Sequence, residues 1–238
     1  MASPMVFQRY EVKYLLSRGQ RDRLLGELAA YLAPDAYAHS SVRSVYYDTP
    51  SYRLIRASLE KPVYKEKLRL RSYGRAEKDS EVFLELKKKY KDVVYKRRIS
   101  LPLRQAEACL SGQAPLPDCQ IGREIDYALG YYQTLAPAVF LSYERDAYHD
   151  QEGTGLRLTF DESIRCRFHN LTLASDPWGT ALLPPDRVLM EVKAGGGLPL
   201  WLVRWLSARQ IYKTSFSKYG AAYRDMVCRA QKGDVQYA

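Results

Sequence analysis

The fold turns on one stretch, Tyr64-Lys65-Glu66-Lys67-Leu68-Arg69-Leu70-Arg71-Ser72-Tyr73. Successive side chains of a strand point to opposite faces. Lys65, Lys67, Arg69 and Arg71 therefore fall on one side, with Leu68 and Leu70 on the other. The next two runs repeat the pattern. Glu81–Tyr90 sets Phe83, Glu85, Lys87 and Lys89 opposite Val82, Leu84 and Leu86, and Val93–Leu101 sets Lys96 and Arg98 opposite Val93, Tyr95, Ile99 and Leu101. Gly74 with a charged turn, then Lys91-Asp92, separate the three runs, and Pro102 ends the last, so they read as an antiparallel meander.

Strands are also expected at Val42–Thr49, Ala138–His149, Gly155–Glu162, Ile164–Thr172 and Arg187–Ala194. Two of these carry the same division: Arg157, Thr159 and Asp161 oppose Leu156, Leu158 and Phe160, and Glu191 and Lys193 oppose Val188, Met190 and Val192. Helices are expected from an N-cap at Ser17 to about Leu32, over Gln105–Leu110, Ile121–Leu135, Leu200–Gln210 and Lys218–Gln231. Asp176–Pro185, with three prolines, reads as a long excursion.

Taken alone, each strand fits a sandwich with one solvated, charged side. Three features favour an inverted arrangement. The polar sides are dominated by cations, where solvated sides mix signs freely. The carboxylates are few, at Glu85, Asp161 and Glu191. Helices on the outside of a barrel need an apolar outer surface, which the Leu/Val/Phe sides supply. The expectation is a single α+β domain, residues 1–238, on a closed or nearly closed antiparallel sheet with a polar interior. So many like charges within need counter-anions, which a polyphosphate supplies through charge-assisted hydrogen bonds.

Lys and Arg total 37 against 27 acids, and residues 60–100 alone supply +7 of the net +10, so the attraction to polyanions is concentrated in the meander. Composition leaves nucleic acid, anionic membrane and phosphate compounds all open as partners. No apolar run approaches the length of a membrane span, and Met1-Ala2-Ser3-Pro4 does not open a signal peptide. Cys109, Cys119, Cys166 and Cys228 form no CxxC pair, so neither a zinc site nor a disulfide framework is indicated, and a cytoplasmic location is expected. His39, His149 and His169 lack ligand spacing, and Trp201 and Trp205, four apart, suit a helix core. Lys87-Lys88-Lys89 resembles a nucleic-acid patch, but in a strand Lys88 points away from its neighbours.

The same residues resemble the VTC domain, the polyphosphate polymerase module of the triphosphate tunnel metalloenzyme (CYTH-like) superfamily, in its stand-alone prokaryotic form. The matching pieces are Arg9-Tyr10-Glu11-Val12-Lys13-Tyr14, Lys67-Leu68-Arg69-Leu70-Arg71, Glu85-Leu86-Lys87, Tyr143-Glu144-Arg145, Arg157-Leu158-Thr159-Phe160-Asp161, Glu191-Val192-Lys193 and Ser215-Phe216-Ser217-Lys218-Tyr219. Their order and spacing, over residues 7 to about 225, are more specific than any one of them. The resemblance implies an eight-stranded β-barrel tunnel with helices packed outside. It implies catalytic roles for Lys13, Arg69, Arg71, Lys87 and Lys193, and phosphate or substrate binding by Lys67, Lys96, Arg98, Tyr143, Arg145, Arg157, Ser217 and Lys218. Glu191 would be the principal ligand of Mn²⁺ or Mg²⁺, with Glu85 and Glu11 in support. Asp48 also resembles a family-typical position and reads as structural. One departure stands out: superfamily triphosphatases open with Glu-x-Glu-x-Lys, and here Arg9 takes the first Glu position, which agrees with the polymerase branch.

The expected chemistry is transfer of the γ-phosphate of ATP onto a growing polyphosphate chain, with no membrane insertion and no nucleic-acid partner. Phosphoryl transfer asks mainly for positioning and charge neutralisation, and an anionic phosphate attacker needs no general base. Three alternatives remain open: a tripolyphosphatase or nucleoside-triphosphate hydrolase, with Glu11 or Glu85 as base, a non-enzymatic nucleic-acid-binding module, and an inactive phosphate-chain receptor.

Overall fold

The computed structural model describes residues 10–91 and 93–231. Arg9, which carries the departure from the triphosphatase motif, lies outside the described residues, as does Asp92. The elements run β1 (Tyr10–Ser17), α1 (Arg18–Glu27), β2 (Leu32–Asp48), α2 (Arg53–Leu59), β3 (Tyr64–Tyr73), β4 (Glu81–Tyr90), β5 (Val93–Pro102), α3 (Leu103–Leu110) and α4 (Gln120–Tyr132). There follow β6 (Ala136–Asp150), β7 (Arg157–Arg167), β8 (Thr180–Ala181), β9 (Arg187–Ala194), α5 (Leu200–Ala208), β10 (Lys213–Thr214) and α6 (Lys218–Gln231).

The α+β class is as expected, but the closed eight-stranded barrel is not. Among the described residues ten strands form one sheet in the order β10-β1-β9-β7-β6-β2-β3-β4-β5, with β8 paired to β7, an order that ends at β10 and β5 rather than closing on itself. Alternation reports which side of a strand is apolar, and that side is the same in an open sheet and a closed one. The two extra strands, β8 and β10, are two residues each and too short to carry a period.

The chain divides into two compact units, whose boundaries fall within β2, β6 and β7 and after Leu182 and Phe216. The first comprises residues 1–41, 143–164 and 183–216. Its core sets Leu158, Phe160, Val188, Met190 and Val192 of the sheet against Leu24 and Leu28 of the α1 region and Leu202, Trp205 and Leu206 of α5. The second comprises residues 42–142, 165–182 and 217–238. There Leu68, Leu70, Val82, Leu84 and Leu86 pack on Leu103, Ala106 and Leu110 of α3 and Ile125 and Ala128 of α4. A smaller cluster joins Tyr46, Ile55, Val139, Leu141, Tyr219 and Ala222. In each unit one side of the strands packs its apolar residues on helices and the charged rows lie on the other side. On that other side, in the second unit, the smaller cluster also brings in residues of α2 and α6.

Local differences have local causes. Ser17 and Gln20 form the capping box that starts α1, but the helix stops at Glu27, because Leu28 caps it and Leu32 already belongs to β2. The strands expected at Gly155–Glu162 and Ile164–Thr172 are one, β7, which accommodates a positive φ of 52° at Ser163. Helix α2 was not foreseen. It begins where Asp48 Oδ1 accepts the amide hydrogens of Thr49 and Leu54, Asp48 Oδ2 accepts that of Ile55, and Thr49 Oγ1 accepts that of Arg53. Tyr219 donates its hydroxyl to Asp48 Oδ2 at 2.8 Å, so this carboxylate ties α2 and α6 to the end of β2.

Candidate functional site

Strand register places the charges of the second unit in rungs. One rung reads Tyr46–Arg69–Glu85–Arg98 across β2, β3, β4 and β5. The next reads Lys67–Lys87–Lys96, and Lys65 faces Lys89 one step further. In the other direction Ser44, Arg71, Phe83 and Ser100 stand in line. Like charges directly opposite destabilise a sheet, so an anion lying over two successive lysine rungs would relieve part of that cost.

Glu85 is the buried carboxylate of this face, 1% exposed. Arg69 Nε and Nη2 reach its Oε2 at 2.6 Å each, Arg98 Nε donates to Oε1 at 2.6 Å, and Lys96 Nζ approaches Oε1 at 2.7 Å. Burial alone would raise the Glu85 pKa, but Arg69, Arg71 and Lys96 outweigh it and hold the carboxyl well below the usual range. Burial brings Lys96 down to about 8, against the pull of Glu85 and with repulsion from Arg98 and Arg69 adding to the fall. Arg71 is buried and its Nε donates to Ser44 Oγ at 3.2 Å. Lys67 Nζ donates to Ser217 Oγ at 3.2 Å, and that same oxygen accepts the Gly220 amide at the start of α6, beside Lys218.

The first unit carries a second charged group of different character. Register sets Glu11 opposite Lys193 and Lys193 opposite Arg157, with Lys13, Glu191 and Thr159 in the neighbouring rung. Arg145 grips Asp161 in a bidentate pair, Nε to Oδ1 at 2.6 Å and Nη2 to Oδ2 at 2.7 Å, and its Nη2 lies 3.4 Å from Glu191 Oε2. Its guanidinium stands 5.2 Å from the Tyr143 ring. Burial would lower the Arg145 pKa, but Tyr143, Asp161 and Glu191 keep it well above its ordinary value. Lys13 Nζ lies 3.3 Å from Glu191 and 3.5 Å from Glu11, and donates to the Phe216 carbonyl at 3.0 Å. Arg157 is ion-paired with Asp35.

The two groups therefore differ in charge balance. The rungs of β3–β5 gather Lys65, Lys67, Arg69, Arg71, Lys87, Lys89, Lys96 and Arg98 around one buried carboxylate. The group on β1, β6, β7 and β9 sets Lys13, Arg145, Arg157 and Lys193 among Glu11, Asp161 and Glu191. The first is suited to an anionic ligand. The second offers carboxylate oxygens, the donors a hard divalent cation requires. Among the described residues no three Asp, Glu, His or Cys side chains assemble into a metal cage. Mg²⁺ is characteristically held by one or two carboxylates together with substrate phosphates and water. Glu191 and Glu11, joined through Lys13, fit that partial role.

Of the residues expected from the sequence, Lys67, Arg69, Arg71, Glu85, Lys87, Lys96, Arg98, Ser217 and Lys218 fall in the second unit. Glu11, Lys13, Tyr143, Arg145, Arg157, Glu191 and Lys193 fall in the first. Sequence reasoning gave no role to Asp161 as the anchor of Arg145, or to Tyr46, whose hydroxyl accepts from Arg69 Nη1 at 2.8 Å. Parity along Val42–Thr49 puts Tyr46 on the face of Ser44 and Asp48, which was the available signal.

Comparison with known proteins gives the fold its context. No curated protein matches the chain in sequence. Among solved structures it is similar to a candidate adenylate cyclase from Bacillus halodurans, with 16% identity, 87% of this chain and 92% of that one covered, and a TM-score of 0.53. It is also similar to a Hippeastrum protein, a candidate adenylyl cyclase described as having a dominant triphosphatase activity, with 16% identity, coverage of 95% and 97%, and a TM-score of 0.50. At such identity the two speak for a shared fold. The VTC domain model matches residues 8–227, nearly the whole length, and takes in both charged groups. The chain belongs to the VTC domain family.

Proposed function

We propose that this chain is an ATP-dependent polyphosphate polymerase, which moves the γ-phosphate of ATP onto the end of a phosphate chain. The observation that carries the reading is the pair of lysine rungs, Lys65–Lys89 and Lys67–Lys87–Lys96, beside a Glu85 already held by three cations. A linear polyphosphate brings one negative charge or more per phosphorus, repeated along its length, and suits rungs that repeat along the strands. Membership of the VTC family supports the same substrate class, as does the triphosphatase activity described for the Hippeastrum structure.

In this reading Lys67, Lys87 and Lys96 neutralise the phosphate chain, while Arg69, Arg71 and Arg98 orient its oxygens through their planar donors. Glu85 keeps Arg69 and Arg98 in place and is a positioning residue. A terminal phosphate oxygen forms the new bond to the γ-phosphorus as the bond to the ADP oxygen breaks. The attacker is already anionic and ADP leaves as an anion, so the step needs no general base. Fixed cations stabilise the charge that spreads over the transferring group. Lys13, Arg145, Arg157 and Lys193 belong with Glu191 and Glu11, the residues that would hold Mn²⁺ or Mg²⁺. Such an ion, when bound, would neutralise phosphate oxygens as a Lewis acid. An ATP donor would agree with a cytoplasmic location, and among the described residues no helix is long and apolar enough to cross a membrane.

A second reading, hydrolysis of triphosphates, is favoured by the Hippeastrum structure. One experiment separates them. Purified protein is incubated with ATP and Mn²⁺, and the products are resolved on a gel stained for polyphosphate alongside an assay for inorganic phosphate. Long chains support polymerisation. Stoichiometric inorganic phosphate without chains overturns it in favour of hydrolysis.

A further inference from the structure

Tyr46 packs its ring in the cluster of Ile55, Val139, Leu141 and Tyr219, but neither that packing nor the phosphate reading gives its hydroxyl a role. It lies opposite Arg69 in register, is 8% exposed, and accepts a hydrogen bond from Arg69 Nη1 at 2.8 Å. The same guanidinium sits 5.6 Å from the centre of its ring. The ring also packs against Tyr219 of α6, with ring centres 4.9 Å apart and the planes tilted by 33°. A hydroxyl is therefore fixed inside the row of β3 cations, and Glu85, the buried carboxylate of the adjoining strand, is already shared by Arg69, Arg98 and Lys96.

Resting on the reading that this face binds a phosphate chain, we propose that Tyr46 is its proton-exchanging member. The phenol is ionised and balances Lys67, Arg69 and Arg71 while the face is empty, and it takes up a proton from solvent when a phosphate chain settles on those cations. The balance is simple: the polyanion and one proton are bound together, and both are released together. An anion arriving beside the phenolate raises the cost of keeping that negative charge, which drives the uptake.

The surroundings support this. Burial would push the Tyr46 phenol up, but Arg69, Arg71 and Lys67 bring it down to about 7. The titratable groups on the other elements packed against it move the opposite way. Tyr219 on α6 is pushed up by burial and by Asp48, and Cys166 on β7 is raised to about 12, so both stay neutral near pH 7. On its own strand Asp48 is engaged by Tyr219 and by the backbone amides at the start of α2. The facing residues of α2 and β6, Ile55, Val139 and Leu141, carry no charge. Tyr73, on the same face as Arg71 but half-exposed, is also lowered, with burial opposed by Arg98 and Arg71, and serves as the control.

The test is calorimetric titration with inorganic tripolyphosphate at pH 7.5, in two buffers of different ionisation enthalpy, on wild type, Tyr46→Phe and Tyr73→Phe. Wild type and Tyr73→Phe should each take up roughly half a proton or more beyond Tyr46→Phe, the ionised share expected slightly above the midpoint. Equal uptake in wild type and Tyr46→Phe, with binding intact, overturns the inference. So does a loss confined to Tyr73→Phe. Absence of tripolyphosphate binding to the wild type overturns the phosphate reading itself. Should Tyr46→Phe fail to fold, near-ultraviolet titration of the wild type decides instead. A tyrosinate signal appearing around neutral pH and suppressed by tripolyphosphate supports the inference, and its absence below pH 9 overturns it.

Discussion

Replacing Glu85 by Gln is the most informative single change, because it keeps the shape of the side chain and removes the charge on which Arg69, Arg98 and Lys96 converge. Breaking a buried pair by deleting one partner costs about 3–5 kcal/mol. Here the carboxylate is 1% exposed, but the Lys96 and Arg98 side chains are 42% and 34% exposed. Solvent screens their share of the repulsion, which lowers the expectation to about 2–3 kcal/mol. In a chain of this size that corresponds to roughly 4–12 °C in Tm. The pH dependence has a definite sign. Glu85 titrates lower in the folded state than its ordinary 4.5, so its contribution is complete above that pH and is lost as the pH falls through the folded value. The variant should therefore lose stability most above about pH 4.5, and the gap from wild type should narrow in acid. Inorganic tripolyphosphate should stabilise the variant more than the wild type, since it restores the missing negative charge and binds only the folded state. Thermal denaturation at pH 4 and pH 7, with and without tripolyphosphate, measures all three effects. A variant as stable as wild type at pH 7 would show that the carboxylate does not hold the cations together. A destabilised variant protected no better than wild type would show that the ligand does not lie over this face.

Arg71→Ala should weaken tripolyphosphate binding about 10- to 100-fold, the worth of one charge-assisted hydrogen-bonding group, while circular dichroism remains native; unchanged affinity would remove Arg71 from the grip. Lys87→Ala should lower affinity and reduce its salt dependence, and an unaltered salt slope would place Lys87 away from the phosphates. Glu191→Gln should raise the Mn²⁺ concentration needed for half-maximal activity, and an identical metal titration would argue against its ligand role. Leu84→Ala, in the fully buried layer beneath α3 and α4, should cost about 2–5 kcal/mol in urea denaturation, and a loss below 1 kcal/mol would mean that the apolar side is not the packed one.

Much of this was legible because a two-residue period is simple and the meander obeys it. Leu68, Leu70, Val82, Leu84 and Leu86 are buried against helices, and the interleaved Lys and Arg lie on the other side, as their alternation requires. Register was not legible. That Lys67, Lys87 and Lys96 stand in one rung depends on turn geometry, and a slip of one residue would reverse every face. Closure was not legible either, since pairing at the two ends of a sheet leaves no mark on alternation. Helix α2 escaped because its first amides are satisfied by Asp48 and Thr49, five and four residues before Arg53, while Tyr52 at the N-cap position supplies no side-chain cap. Tyr46 and Asp161 escaped for a shared reason: a residue's charge and parity are written in the sequence, but the cation it meets lies on another strand.

The charge imbalance across these strands has a consequence for stability as well as chemistry. An ordinary globule settles its cations against carboxylates of the same chain, as Arg145 does with Asp161. The face built by β3, β4 and β5 instead sets lysine directly opposite lysine, with one buried carboxylate shared by Arg69, Arg98 and Lys96. Such a face is held in place by the leucine layer beneath it, and a bound anion lowers the repulsion among its cations. Fold stability and ligand affinity are then two measurements of the same electrostatic energy. A substitution that relieves the repulsion, such as Lys87→Gln, should stabilise the empty protein while weakening its hold on tripolyphosphate. A variant that improved both would show that the rung carries no stored repulsion, and the case for a phosphate chain on this face would lose its physical basis.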